Sequence, residues 1–207
     1  VCIVKLLSMH EAGESFCAFF DYLDDLLILD SAVEPTSARF YQVKAKASGN
    51  WTTHALCKEE GEQAPKSIIS RMYLNIDALK EMTASVGFIS NAQFKVKLLN
   101  GKDCDGAQVL ISGSELHASA VEKMRAAVST DFNEPLFEGW SDLIVLERFS
   151  HGTVDQDIFV KGKLVKHLEH FEQADHVPVS ALYDVLYNAV RVRIGNVDKS
   201  QDLASLL

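Results

Sequence analysis

From Asp21 to Lys46 the chain runs DYLDDLLILDSAVEPTSARFYQVKAK. A group of aspartates opens it, an apolar run follows from Leu26 to Leu29, Glu34-Pro35-Thr36-Ser37 makes a turn signature, and a second apolar run surrounds Gln42 and Lys44. Short runs rich in aromatic and branched residues between turn residues read as strands. Side chains two apart in a strand share a face, so Gln42 and Lys44 point one way while Tyr41 and Val43 point the other. A cation is thereby placed on a buried-looking strand. If Asp25, on the preceding strand, lies beside Lys44, a carboxylate, an amide oxygen and an ammonium meet. Those are the groups that metal-assisted phosphodiester hydrolysis uses.

Outward from this stretch, Phe16 to Phe20 reads as a strand before Asp25 to Leu29, and with Arg39 to Ala47 the three make a meander. Val1 to Met9 is apolar on nearly all sides and ends toward Gly13, as a core helix with a glycine stop does. After the polar loop Ser48-Gly49-Asn50 with Trp51, and a break from Gly61 to Pro65, Ser67 to Met82 has apolar residues at helical spacing. Val86 to Ile89 and Phe94 to Leu99 then read as strands. Beyond Gly101 the pattern becomes helical: Ser114 to Val128, Phe159 to Phe171, Val179 to Arg193 and Gln201 to Leu207, with one further strand at Asp142 to Phe149.

The expectation is an α/β fold, a mixed central sheet flanked by helices with a mostly helical C-terminal half. It forms a single domain over residues 1–207, with a mixed-sheet core in 1–110 and a helical subdomain in 111–207, because no Pro/Gly/Ser-rich linker divides them. Val1 stands in the first position, inside a segment already amphipathic, so the N-terminus is expected to be truncated.

Composition narrows the function. The 207 residues are 47% hydrophobic and carry a formal net charge of −9. An acidic chain has no broad electrostatic grip on nucleic acid, since that affinity comes chiefly from cations displacing condensed counterions. Basic residues nevertheless cluster at Arg39 to Lys46, Lys95 to Lys102, Lys161 to Lys166 and Arg191 to Arg193, so a basic groove on an acidic body is expected. The four cysteines have no CxxC spacing, which suits reduced thiols in a cytoplasm. The apolar runs are too short to span a bilayer. Walker-type and GxSxG motifs are absent. His151, His167, His170 and His176 straddle different elements and read as scattered surface histidines rather than a zinc set.

Magnesium takes a few hard oxygens and keeps several waters, so the Asp25 carboxylate and a neutral oxygen of Gln42, side-chain or backbone, suffice beside the substrate phosphate, with Lys44 orienting the water or stabilising the pentavalent phosphorus. An Asp and a Lys on successive strands also occur as a plain surface pair at a sheet edge. Asp21, Asp24 and Asp30 are open as alternative acids or as solvated turn residues. Asn50-Trp51-Thr52-Thr53 follows the Lys44 strand closely enough to touch DNA, with Trp51 either a base or sugar contact or packed on its own domain.

The run FFDYLDDLLILD from Phe19 to Asp30, then FYQVK from Phe40 to Lys44 and Gly49-Asn50-Trp51-Thr52, resembles the N-terminal nuclease domain of bacterial anti-phage effectors of the CD-NTase-associated endonuclease group. This is a branch of the PD-(D/E)xK restriction-endonuclease-like superfamily, also found in proteins that act beside a HerA-type ATPase. Weaker similarity continues through Phe88-Ile89-Ser90-Asn91, Val160-Lys161-Gly162-Lys163 and the helix from Leu182 to Tyr187.

The resemblance implies a restriction-endonuclease-like core with its acid at Asp25, a glutamine replacing the second acid at Gln42, and the lysine at Lys44. Asp21 stands where relatives carry Glu, and Glu11 is the nearest acid on the preceding helix. It further implies an endonuclease dependent on Mg2+ or Mn2+, cutting double-stranded DNA with little sequence specificity in anti-phage defence. Such a protein would be cytoplasmic, homo-oligomeric, without membrane contact, and able to work with a HerA-type ATPase. The competing expectation is a restriction-like scaffold without activity that assembles with the ATPase. For it, the helix face of Val179, Leu182, Val185, Leu186 and Val190 is either a docking surface or core.

Overall fold

A computed structural model describes residues 1–22, 24–60, 65–104, 108–132, 135–149, 156–171 and 177–193. In chain order the elements are α1 (Cys2–Glu11), β1 (Cys17–Tyr22), β2 (Asp24–Leu29), β3 (Ala38–Val43), β4 (Trp51–Thr52), α2 (Thr53–Cys57), α3 (Ile68–Ala78) and β5 (Thr83–Ser90). They continue with β6 (Phe94–Lys95), β7 (Leu110–Ser112), α4 (Ala118–Asp131), β8 (Ile144–Arg148), α5 (Gln156–His170) and α6 (Val179–Arg193), with 3-10 turns over Gly113–Glu115 and Trp140–Leu143. The class is α/β, as expected. The chain groups into two compact units, Val1–Ser37 with His151–Leu207, and Ala38–Ser150. The grouping thus interleaves the chain, whereas the sequence pattern changes near residue 110.

In the first unit α1 ends as its glycine predicts. Gly13 takes a left-handed φ of 71°, and the Gly13 and Glu14 amides donate to the His10 and Met9 carbonyls, the paired bonds of a Schellman stop. The hairpin β1–β2 is antiparallel, with Cys17 opposite Leu29 and Phe20 opposite Leu26. Leu26 to Leu29 are all buried, so both faces of β2 are covered, which explains an apolar run without alternation. Ile3, Val4 and Leu7 of α1 pack on the cluster of Val160, Leu164 and Tyr183 from α5 and α6. Val179, Leu182 and Leu186 pack half-buried against that cluster while Val185 is 64% exposed, so most of the α6 apolar face turns inward.

In the second unit four strands share one sheet in the order β3-β5-β8-β7, and β4 pairs with β6 in a two-stranded sheet. Strands β3, β5 and β8 are parallel and β7 closes the edge antiparallel to β8, a mixed sheet. Helix α3 covers β5 with Ile68, Ile69, Met72 and Ile76 fully buried, and the Ser67 hydroxyl caps it by accepting from the Ser70 amide at 3.0 Å.

Two sequence expectations are corrected, and one strand is new. The strand expected from Phe94 to Leu99 is a two-residue β6 followed by isolated bridges, because the chain turns at Gly101 and the Leu98 amide bonds within that turn to the Lys102 carbonyl. The helix expected from Ser114 starts at Ala118, because Ser112 and Glu115 close a capping box on a 3-10 turn first. Strand β7 was not anticipated. The helix expected at Gln201 to Leu207 lies outside the described residues, and among those described no helix is long and apolar enough to cross a membrane.

Candidate active site

Gln42 sits on β3 opposite Phe88 of β5. The Lys44 amide donates to the Ile89 carbonyl at 2.9 Å, so the ladder runs on past Val43 and the alternation holds through Lys44. Gln42 and Lys44 therefore share a face. The Gln42 side-chain oxygen Oε1 is buried and, among the described residues, accepts no hydrogen bond. A buried amide oxygen without a donor is costly unless something positive approaches it. A hard divalent cation meets that requirement, and Gln42 with a carboxylate is an oxygen donor set of the kind magnesium and manganese take.

The Lys44 ammonium donates to Glu60 Oε2 at 2.6 Å, and Arg71 Nη2 lies 3.5 Å from the same oxygen. Both partners of the Lys44–Glu60 pair are more than a third exposed. The Lys44 hydrogen bond, opposed by desolvation and helped by the charges of Lys44, Arg71 and Lys58, holds the Glu60 carboxyl below its ordinary 4.5. Sequence reasoning missed Glu60. It lies sixteen residues after Lys44, and the intervening chain, which holds β4 and α2, has no periodicity that would pair them.

Trp51 is not a DNA contact. It is buried, donates from Nε1 to Ser90 Oγ at 2.8 Å, and stands edge-on to Phe88 with ring centroids 5.0 Å apart. Lys46 lies over its ring at 4.3 Å and donates to the Asn50 carbonyl. This cluster fixes the loop that leaves β3 against the end of β5.

In the first unit, Asp25 is exposed at the second position of β2, with its amide bonded to Asp24 Oδ1 at 3.0 Å. Phe20 pairs with Leu26 and Tyr22 with Asp24, which leaves Asp21 and Asp25 opposite one another near the hairpin end. Asp21 is the one non-glycine residue at positive φ among those described, at 58°. Aspartate tolerates this conformation better than most residues. Asp30 is a turn residue. Its carboxylate accepts from the Thr36 hydroxyl at 2.6 Å and from the Thr36 and Ser37 amides, which lower its pKa to about 2.

Cys2, in the first turn of α1, is pushed above its ordinary 9.0 by desolvation and, in smaller part, by the Asp25 charge. The start of α1 is thus within electrostatic reach of Asp25. Glu11 stands at the far end of the same helix, at about 1.5 Å per residue, and bonds to His167 Nδ1 at 3.1 Å. His167 and His10 cluster with Phe171. His151 and His176 lie outside the described residues, and among those described no group of three or more His, Cys, Asp or Glu could hold a metal.

Asp25 thus belongs to the first unit and the Gln42–Lys44 pair to the second. No curated protein and no solved structure gives a significant match to the chain. A family model does, however, match residues 1–193, a span that includes Asp25, Gln42 and Lys44. Its description is "Cap4, dsDNA endonuclease domain", and the chain accordingly belongs to the Cap4 double-stranded DNA endonuclease domain family.

Proposed function

We propose that this endonuclease domain hydrolyses DNA phosphodiesters in anti-phage defence with a magnesium or manganese ion held by Asp25 and Gln42, Lys44 assisting attack. The observation that carries the reading is the buried, unpartnered Gln42 Oε1 on the same strand face as Lys44. Such an ion lowers the pKa of a bound water and offsets negative charge on the phosphoryl oxygens. Gln42 presents an acceptor for which no donor competes among the described residues. Lys44 supplies a point charge for the pentavalent phosphorus, and Glu60 fixes where that charge stands. Nothing in the site resembles a base-reading helix, so cleavage has little sequence specificity. Cytoplasmic action, self-association and work beside a HerA-type ATPase complete the proposal.

The test is supercoiled plasmid incubated with Mg2+, Mn2+ or chelator. The native protein is expected to cut only with a divalent ion. Lys44→Ala is expected to lose cleavage by about 100-fold or more while keeping its thermal melt, since Lys44 is part-exposed and its ion pair with Glu60 is part-exposed as well. Metal-dependent cutting retained in Lys44→Ala overturns the assignment. If neither the chain alone nor a complex with the ATPase cuts DNA, the scaffold reading replaces it.

A further inference from the structure

The second unit contains a basic cleft that the proposed chemistry does not use. Thr52, Thr53 and His54 at the β4–α2 junction, Lys95 and Lys97 on and after β6, Asp103, and Ser119, Ala120 and Lys123 of α4 enclose about 270 Å3. Three lysines and one aspartate are among its lining residues. Among the described residues none of the three lysines makes an ion pair, Asp103 included. All three are exposed, in a chain whose formal net charge is −9. Like charges gathered at one exposed cleft raise the local positive potential there. Such a potential attracts an anion.

We propose that this cleft binds a backbone phosphate of the DNA substrate, away from the scissile bond. Lysines are suited to phosphate as point charges. The hydroxyl inventory agrees. Thr52 Oγ1 accepts from the Ala55 amide as the α2 cap, which occupies a lone pair and leaves its O–H to donate outward. The ligand is held by side chains, because the first amides of α4 are already bonded to His117: Ser119 to Nδ1, Ala120 and Val121 to the carbonyl.

Position points to the duplex. Thr52 pairs with Lys95 across β4 and β6, and its neighbour Trp51 is bonded to Ser90 at the end of β5, the strand beside Gln42 and Lys44. A phosphate in the cleft is thus held by the same short strand that buttresses the proposed catalytic strand. The inference rests on the endonuclease reading for its ligand, and the two separate experimentally.

Binding of a fluorescent duplex is measured across a salt series in the Lys44→Ala background, with and without Lys95→Gln, Lys97→Gln and Lys123→Gln together. The glutamine variant is expected to bind about 10-fold more weakly near physiological salt, with the slope of log K against log salt reduced by about 1. The corresponding triple arginine variant is expected to bind like the parent. With Lys44 restored, the glutamine changes raise KM and leave kcat unaltered. Unchanged affinity and slope in a folded glutamine variant overturn the cleft alone. If the native chain cuts no DNA but the cleft variant still loses duplex binding, the endonuclease reading fails and the cleft stands. Inorganic phosphate that displaces the duplex at low millimolar concentration reassigns the cleft to free phosphate and overturns the DNA proposal.

Discussion

Glu60 accepts from the Lys44 ammonium at 2.6 Å, and on this carboxylate depends where the lysine's charge stands. Replacing it as Glu60→Gln keeps the shape and removes the charge. Misplacing a group that acts on the transition state by a fraction of an ångström to an ångström lowers kcat by about 10- to 100-fold, so kcat is expected to fall in that range with KM little changed. Full kcat in Glu60→Gln makes the pair incidental. The pH dependence follows from the direction of the shift. A carboxyl held below its ordinary 4.5 contributes its stabilisation fully above that value and loses it as pH falls through the lowered one. The Lys44–Glu60 pair is therefore intact near neutral pH, and loss of cleavage on mild acidification has another source. Gln42 and Lys44 were legible because a period of two puts them on one face whatever surrounds the strand. Glu60 was not, since a non-local ion pair from a loop leaves no periodic trace.

Short elements are where local pattern and three-dimensional constraint part. Gly113 opens the 3-10 turn between β7 and α4, and a Cβ built there would lie 1.7 Å from the Ser141 carbonyl oxygen and 3.2 Å from that of Ile144. Those are backbone atoms and cannot rotate away. Gly113→Ala is thus expected to cost about 1–3 kcal/mol or more, at about 2–4 °C of Tm per kcal/mol for a chain of this size. A melt within 1 °C or so of native, on the scale of that relation, means the turn can shift. The same contact explains the late start of α4. Ser114 reads as a helix cap in isolation, but the chain must first pass Ser141 through a glycine turn and bury Leu116. Longer elements were easier: α3 and α6 have apolar residues at helical spacing, and α6 runs from Val179 to Arg193 as read. Strand β7 escaped because it has three residues and Leu110 is 53% exposed, too little for alternation to register.

At the scale of the molecule, the sequence carried the class of fold but not the grouping of its parts. Glu11 meets His167 across 156 residues, and Ile3, Val4 and Leu7 rest on α5 and α6, contacts that no local pattern anticipates. The same scale decides how a duplex is severed. Each chain carries one Asp25, one Gln42 and one Lys44 of the proposed site, so one chain hydrolyses one strand. Two strands require two encounters or two chains, and closed symmetric assembly is the usual way to supply a second copy. Supercoiled plasmid at low protein concentration is therefore expected to pass through open circles before linear molecules appear. Raising the concentration should increase the ratio of linear to nicked product while the total cleaved per chain stays similar, with sedimentation moving toward a dimer or larger over the same range. Linear product without an open-circle stage, from a species that sediments as a monomer at every concentration, would mean that one chain cuts both strands and that the proposed site has a second copy of its chemistry elsewhere.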